Sequence, residues 1–305
     1  MRTRRTTALL AILPAAALLL AGCSATSSDA STGSGKVDVV ASTNVYGDIA
    51  TKIGGDHIAV TSLISSSAQD PHSFEASAQD QLAVKKASVI IENGGGYDPF
   101  VDTLISSAGN SDRTVINVVK LSGLDPDGKT EGFNEHVFYD LPTISKLADE
   151  LAKEFGKADS ANAADFTKNA ETFKSSLAKI EASAAAIKAA HNGEGAAITE
   201  PVPLYLMQSA GLVNKTPAEF SEAIEEGTDV SPAVLKETLD LFGSGTVSML
   251  AYNEQTSGAE TEQVQNAAKA AGVPVVPFTE TLPDGKDYLS WMTDNVAAIA
   301  QALQK

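Results

Sequence analysis

Short runs of apolar, β-branched residues alternate with longer amphipathic segments along the first half of the chain. The pattern predicts strands at 37–43, 57–64, 88–94 and 114–121, and helices at 44–55, 74–87, 99–108 and 141–156. Because strands and helices alternate, we expect a mostly parallel sheet that is covered by helices.

One long apolar stripe interrupts this alternation between residues 165 and 190. Its members recur at intervals of four and three residues, which is the spacing of a single helix face: Phe166, Ala170, Phe173, Leu177, Ile180, Ala184 and Ile187. At 1.5 Å per residue, such a helix is roughly 39 Å long. A coiled-coil segment shows the same spacing, but the position between two α/β regions favours a rigid connecting helix.

The strand–helix alternation resumes after this stripe. Strands are predicted at 195–199, 247–253 and 273–279, and helices at 202–210, 217–226, 231–242, 260–271 and 286–304. The fold class is therefore α/β, with an N-terminal lobe at 37–160, a connecting helix at 161–191 and a C-terminal lobe at 192–305. A rigid connection predicts a small adjustment of the cleft between the lobes, rather than a wide hinge closure.

The first 22 residues have the anatomy of a secretory signal, with a basic start and an apolar segment at 8–21. That segment is too short to span a bilayer comfortably. Leu20-Ala21-Gly22-Cys23 resembles a bacterial lipobox, in which the cysteine becomes the lipidated first residue, although an ordinary signal peptide with an incidental cysteine stays an alternative. Cys23 is the only cysteine in the chain, and lipidation accounts for a thiol that has no pairing partner.

Residues 23–36 are rich in Ser, Gly and Thr, which is typical of a flexible tether. The sequence thus predicts a protein anchored by lipid to the outer, or periplasmic, side of the cell membrane. Beyond the signal no apolar run is long enough to cross a bilayer.

The charge of the chain is strongly acidic. Its formal net charge is −17, which becomes −20 when the three arginines of the signal are removed. Such a field repels nucleic acid and attracts cations.

The common catalytic motifs are missing from the sequence. It contains no G-x-S-x-G, H-E-x-x-H, Walker, C-x-x-C or G-x-G-x-x-G motif. Gly94-Gly95-Gly96 follows a predicted strand but lacks the dinucleotide-binding spacing, so we interpret it as a turn. These observations favour a protein that is not an enzyme.

Four potential metal ligands lie directly after predicted strands. His72 and His136 occupy loops of the N-terminal lobe, and Glu200 and Glu280 follow strands of the C-terminal lobe. Ligands of open α/β sheets bind beyond the carboxyl ends of the strands, so these side chains are expected to converge in the cleft. Two imidazoles and two carboxylates form a complete ligand set for a divalent first-row metal.

Three further acidic residues are candidates near this site. Asp70, just before His72, is placed to orient an imidazole nitrogen by hydrogen bonding. Asp140 followed by Leu141-Pro142 predicts a capped helix start, which would hold His136 just ahead of it. Glu254, after the strand at 247–253, is the alternative to Glu280 as fourth ligand, and water is another.

With these residues identified, the chain resembles the TroA-like family, the metal-binding lipoproteins of bacterial zinc and manganese ABC importers. The resemblance covers essentially the whole mature chain and depends on four segments: DPHSFE at 70–75, EHVFYD at 135–140, TEPVPLYLMQSAGL at 199–212 and FTETLPDGKDYLSWMTDN at 278–295. It implies two lobes on one backbone helix, with metal bound by the residues at positions 72, 136, 200 and 280.

The chain departs from the family pattern at two points. Glu280 stands where relatives usually have Asp, and residues 122–135 contain no histidine where many zinc receptors carry a His-rich loop. Carboxylate oxygens suit Mn²⁺ and Fe²⁺, whereas the Irving–Williams order favours Zn²⁺ in affinity. The cargo is therefore expected to be Mn²⁺ or Zn²⁺, with Fe²⁺ as a further possibility.

The resulting hypothesis is a monomeric, lipid-anchored receptor that delivers this ion to an ABC importer permease and its ATPase. Three alternatives stay open: a receptor for a metal chelate or another organic solute, a surface adhesin of the same build, and a metallohydrolase. The hydrolase is disfavoured because catalytic metal sites keep an open coordination position. The organic-solute receptor would need more aromatic residues in the cleft than Trp291 and six tyrosines supply.

Overall fold

The fold was analysed in a computed structural model that describes residues 35–304, apart from positions 67, 110, 126, 127, 129 and 131. Within this range the strands are β1 Val37–Thr43, β2 Ile58–Ile64, β3 Val89–Glu92, β4 Thr114–Asn117, β5 Gly195–Ile198, β6 Val213–Asn214, β7 Leu250–Asn253 and β8 Val275–Phe278. The α-helices are α1 Asn44–Gly54, α2 Ala78–Lys86, α3 Pro99–Ala108, α4 Val118–Ser122, α5 Leu141–Ala158, α6 Ala163–His191, α7 Leu204–Ser209, α8 Ala218–Glu225, α9 Pro232–Gly243, α10 Ala259–Ala270 and α11 Tyr288–Ala302.

The strands form two sheets of four parallel strands each. Their orders are β2-β1-β3-β4 and β6-β5-β7-β8. The inner strands β3, β5 and β7 are buried along their whole length, which explains why they lack an alternation of polar and apolar residues. The expected α/β class with two parallel sheets is confirmed.

The long helix α6 lies between the two sheets in sequence and packs against helices of both halves. It contacts α1 and α5, which precede it in the chain, and α7 and α11, which follow it. All seven residues of the predicted stripe are buried, and Lys36–Lys305 form one compact unit. The helix therefore acts as a continuous support for both halves.

Two local predictions were wrong, and one short strand was not predicted. The helix expected at 74–87 begins only at Ala78, because Ser77 and Asp80 form a capping box. The strand expected at 114–121 ends at Asn117, whose side chain caps α4 by accepting a hydrogen bond from the Lys120 N–H at 2.9 Å. The edge strand β6 was missed because it has only two residues.

The predictions for the N-terminal segment concern residues outside the described range. The signal segment 1–22, Cys23 and the tether up to residue 34 lie outside the described residues. Among the residues that are described, no helix has the length and apolar character needed to cross a membrane.

Candidate metal centre

His72 lies in the loop after β2, where Asp70 fixes the backbone. Asp70 accepts hydrogen bonds from the His72 backbone N–H at 2.9 Å and from the Ser73 hydroxyl at 2.8 Å. It thus holds the main chain at His72 and makes no hydrogen bond with the ring. The ring instead packs edge-on against Tyr97, with a centroid distance of 5.2 Å.

His136 lies directly before a 3₁₀ turn, Val137–Tyr139, which leads into α5. Its Nδ1 lies 2.7 Å from the Asn134 side-chain oxygen. Since that oxygen can only accept, Nδ1 carries the proton and Nε2 keeps its lone pair in the neutral ring. Asp140 caps α5 by accepting from the Thr143 backbone N–H at 3.0 Å, so it anchors the segment that follows His136.

The two predicted carboxylates are joined by Asn253, the last residue of β7. Its side-chain amide donates to Glu280 Oε1 at 2.9 Å and also to Glu200 Oε2. Each carboxylate therefore keeps one oxygen that Asn253 does not occupy. Glu254, the alternative ligand, is exposed to solvent and belongs to neither ligand group described below.

Three of the four predicted ligands lie together. The candidate ligand atoms of His72, His136 and Glu280 are within 4.8 Å of one another. His136 Nε2 and Glu280 Oε2 are 3.7 Å apart, close to the distance of about 3.4 Å between two ligands on a tetrahedral ion. Glu200 does not belong to this group, but the side-chain amide of Asn253 connects it to Glu280.

All four residues have a buried polar atom without a hydrogen-bond partner. These atoms are His72 Nε2, His136 Nε2, Glu200 Oε1 and Glu280 Oε2. Buried polar groups are normally paired, since an unpaired one costs about 1–3 kcal/mol. A single divalent cation would satisfy the atoms of His72, His136 and Glu280 together, since ligand atoms of these three residues lie within 4.8 Å of one another. Glu200 lies outside that distance and would have to move to reach the same ion. The donor set fits a metal of the first transition row.

Several carboxylates surround the imidazole of His136 and determine the electrostatics of the site. Burial disfavours the imidazolium of His136, but the carboxylates of Glu280, Glu225 and Glu135 outweigh it and raise its pKa to about 9. Burial, together with the charge of Glu280, raises the pKa of Glu200 to about 7. Glu280 is also buried, yet its interaction with His136 keeps its pKa below the usual value. Protons thus neutralise part of the site in the metal-free protein.

Several residues that position the predicted ligands were not identified from the sequence. Asn253 and Asn134 orient a carboxylate pair and an imidazole, and Tyr97 contacts both histidine rings, at 5.2 Å for His72 and 5.6 Å for His136. The run Gly94–Gly96 offered one signal, because all three residues have positive φ angles and form the turn that places Tyr97. Asn253 carries no local signal, since Glu200 and Glu280 are distant in sequence, whereas Asn134 lies only two residues before the imidazole that it orients.

A cavity of about 1090 Å³ lies beside the predicted ligands. His72 lines its wall, together with Glu135 of the N-terminal half and Glu225 of α8. His136, Glu200 and Glu280 do not line it and are buried. The predicted ligands therefore lie behind the wall of the cavity, with His72 at the boundary.

Two parallel α/β halves on one long helix, with buried imidazoles and carboxylates between them, define the class of helix-linked solute-binding proteins. The chain belongs to the family of zinc-uptake complex component A, periplasmic, whose model matches residues 39–302. The resemblance inferred from the four sequence segments is thereby confirmed.

Two bacterial relatives illustrate the range of similarity. The metal ABC transporter substrate-binding lipoprotein ScbA of Streptococcus cristatus is 24% identical over 303 residues, covering 94% of this chain and 95% of the relative. The manganese-binding lipoprotein MntA of Bacillus subtilis is 29% identical over 175 residues, covering 57% of this chain and 56% of the relative. The second match therefore spans only about half of either protein.

A solved structure shows the same fold. The periplasmic zinc-binding protein TroA from Treponema pallidum superposes with a TM-score of 0.75 at 18% identity, covering 89% of this chain and 100% of the other. At this level of identity the similarity establishes the fold, and the site depends on the residues of this chain.

Proposed function

We propose that this chain is an extracytoplasmic receptor that binds one divalent transition-metal ion between its two halves for an ABC importer. The observation that carries the proposal is the set of four buried, unpartnered atoms on His72, His136, Glu200 and Glu280. They are the four residues that the sequence pattern selects, and they offer two imidazole nitrogens and two carboxylate oxygens. The relatives named above are described as a metal and a manganese binder.

The ligand chemistry favours Mn²⁺ or Zn²⁺ as the cargo. Two carboxylate oxygens beside two imidazoles suit both ions, and the Irving–Williams order gives Zn²⁺ the higher affinity. Fe²⁺ has intermediate ligand preferences and is the third candidate. Because the ligands bind the metal only when deprotonated, capture releases protons to solvent, and acidification weakens binding.

The proposed receptor acts at the surface of the cell membrane. Lipidation at Cys23 would hold it at the membrane, because two or more acyl chains give stable anchoring. A permease and its ATPase would receive the ion from the monomeric receptor. Binding and release of the ion, without turnover of a substrate, is the proposed activity.

Titration calorimetry of the metal-free protein with Mn²⁺ and with Zn²⁺ tests the proposal. We expect one bound ion per chain, with affinity in the micromolar range or tighter, and loss of most of that affinity in His72→Ala. Elemental analysis of protein purified without added metal should find the same ion. A wild-type protein that binds neither metal below micromolar concentration would contradict the proposal. Normal binding by Glu280→Ala would remove Glu280 from the ligand set only.

A further inference from the structure

A second group of potential ligands lies next to the buried group. One ligand atom each of His72, Glu135 and Glu225 lies within 4.8 Å of the others. His72 Nε2 and Glu135 Oε1 are 3.9 Å apart. Glu225 Oε1, like His72 Nε2, is buried without a hydrogen-bond partner. We call this the outer group, and His136, Glu200 and Glu280 the inner residues.

The two groups share His72, which has consequences for occupancy. The buried imidazole nitrogen of His72 has one lone pair and can bind one metal ion at a time. An ion in the outer group and an ion among the inner residues are therefore alternatives rather than simultaneous occupants.

The outer group also has the exposure that a first binding position requires. All three of its members line the cavity of about 1090 Å³, whereas the inner residues do not. The side chain of His136 is 1% exposed, against 25% for His72 and 13% for Glu135. An ion that enters from the cavity meets the outer group before it reaches His136 or Glu280.

We propose that His72, Glu135 and Glu225 form an outer subsite that takes a divalent metal ion from the cavity and passes it to the inner residues. The ion stays on His72 while the carboxylates of Glu135 and Glu225 are exchanged for the imidazole of His136 and the carboxylate of Glu280. Two carboxylates and one imidazole leave coordination positions for water, so the incoming ion loses its hydration shell in two steps.

The chemistry of the outer subsite defines its ligand as a hydrated divalent cation. Once the incoming ion has displaced the proton that Glu225 holds, two carboxylates and one imidazole give the group a negative charge that an anion or a neutral solute would not match. Glu225 also lies 3.6 Å from His136 Nδ1, so its carboxylate is within reach of both groups. The inference depends on the proposed function, because it describes how the ion reaches the inner residues.

The test measures association and dissociation rates at a pH above the pKa of about 8 that burial gives Glu225. The variants are Glu135→Gln and Glu225→Gln, which keep shape and, under this condition, remove charge. Mn²⁺ or Zn²⁺ is mixed rapidly with the metal-free full chain, and a fluorescent chelator reports free metal. Both variants should bind about tenfold more slowly, since focused charge in a cleft accelerates cation capture by about that factor or more. Dissociation should also slow, because an intermediate on the path speeds both entry and exit.

Glu222→Gln is the matched control. Glu222 lies on α8, lines the same cavity and is exposed, but it does not belong to the outer group. It should leave both rates within about twofold of wild type, as expected when a single surface charge is lost.

The change in dissociation rate distinguishes the outer subsite from an alternative, in which the charges of Glu135 and Glu225 only stabilise an ion at the inner residues. If Glu135→Gln and Glu225→Gln release metal faster than wild type, they stabilise the final site and the proposal is wrong. Association rates equal to that of Glu222→Gln would also overturn it. Both outcomes need a wild type that binds metal, so a wild type without binding contradicts the proposed function instead. The two variants lie in different halves, so a folding defect in one leaves the other as a test.

Discussion

At the scale of single residues, Asn253 positions two carboxylates although its own side chain is uncharged. It donates to both Glu200 and Glu280, which brings two like charges together and still leaves one oxygen on each for a cation. Asn253 thereby offsets the repulsion between the two carboxylates without occupying the oxygens that would bind a metal ion. A carboxylate at the same position would add a third negative charge, and an apolar side chain would leave both acids without a donor.

Replacement of Asn253 by Ala should weaken metal binding by about 10- to 100-fold, which is typical for the loss of a residue that orients a metal ligand. The carboxylates lose their common donor and no longer present their free oxygens in one direction. Calorimetric affinities for Mn²⁺ and Zn²⁺ provide the measurement. Asn192→Ala is a suitable control because Asn192 is exposed after α6, and it should bind as wild type does. Equal affinities in the two variants would show that Asn253 does not position the carboxylates.

At the scale of secondary-structure elements, α11 is held to α1 through its first residues. Asp287 caps α11 in a capping box with Ser290. Its carboxylate also accepts a hydrogen bond of 2.8 Å from Lys52 in α1. The hydrogen bond with Lys52, followed by those with Ser290, lowers the pKa of Asp287 to about 2. This one side chain thus joins α11 of the C-terminal half to α1 of the N-terminal half.

Asp287→Ala should lower the free energy of unfolding at pH 7 by about 1–2 kcal/mol, mostly through the lost cap. The pair with Lys52 adds little, since both side chains are more than a third exposed. Because the pKa of Asp287 is depressed on folding, its charge stabilises the protein above about pH 4 and stops doing so as the pH falls towards 2. Urea denaturation at several pH values checks both points.

Asp287→Asn separates the cap from the charge. Asparagine caps helices as well as aspartate does, so this variant should stay near wild type at pH 7 and lose less stability on acidification. If Asp287→Asn is as unstable as Asp287→Ala at pH 7, the cap is not the main contribution.

The elements also show which parts of the structure the sequence could predict. The approach of the loops that carry the predicted ligands could be inferred, because parallel strands bring their carboxyl ends to the same edge of a sheet. The pairing of β7 between β5 and β8, which places Asn253 between Glu200 and Glu280, depends on strand order. No local pattern encodes that order, so Asn253 could not be found. The apolar run at 118–121 fits a strand or a helix equally well, and the cap at Asn117 decides for the helix.

At the scale of the whole molecule, hydrogen bonds between the halves restrain the loop that carries Glu280. Tyr97 donates to the Glu280 carbonyl at 3.3 Å, and Tyr139 donates to the Thr279 carbonyl at 2.7 Å. Asn44 exchanges two hydrogen bonds with the backbone of Leu282, at 3.2 and 3.0 Å. These contacts, together with α6, oppose a wide opening of the molecule.

Crystal structures with and without Mn²⁺ should therefore differ by less than about 1 Å in the backbone around the site, as in other preorganised complexes. The adjustment is expected in the loop of His72, because the His72 side chain is 25% exposed whereas His136 and Glu280 are buried. A rotation of one half that displaces the backbone by several ångströms would contradict this expectation, and with it the role of α6 as a rigid support.

Protons and metal ions compete for the same groups of the molecule. Burial raises the pKa of Glu225 to about 8, as it raises that of Glu200 to about 7. His136 reaches about 9 because its acidic neighbours outweigh the effect of burial. In each case the folded, metal-free protein keeps a proton that the unfolded chain loses at lower pH. The shift of Glu280 has the opposite sign, but it acts at more acidic pH.

The melting temperature of the metal-free protein should therefore fall as the pH rises from 6 to 9, since the unfolded state binds fewer protons over this range. The metal-saturated protein should show the opposite trend, because its ligands must be deprotonated to bind the ion. Scanning calorimetry with and without Zn²⁺ measures both slopes. Glu225→Gln should flatten the metal-free slope, while Glu222→Gln, which is exposed on the same helix, should not. A metal-free melting temperature that rises with pH would mean that these groups are already ionised in the folded protein, and that metal capture releases few protons.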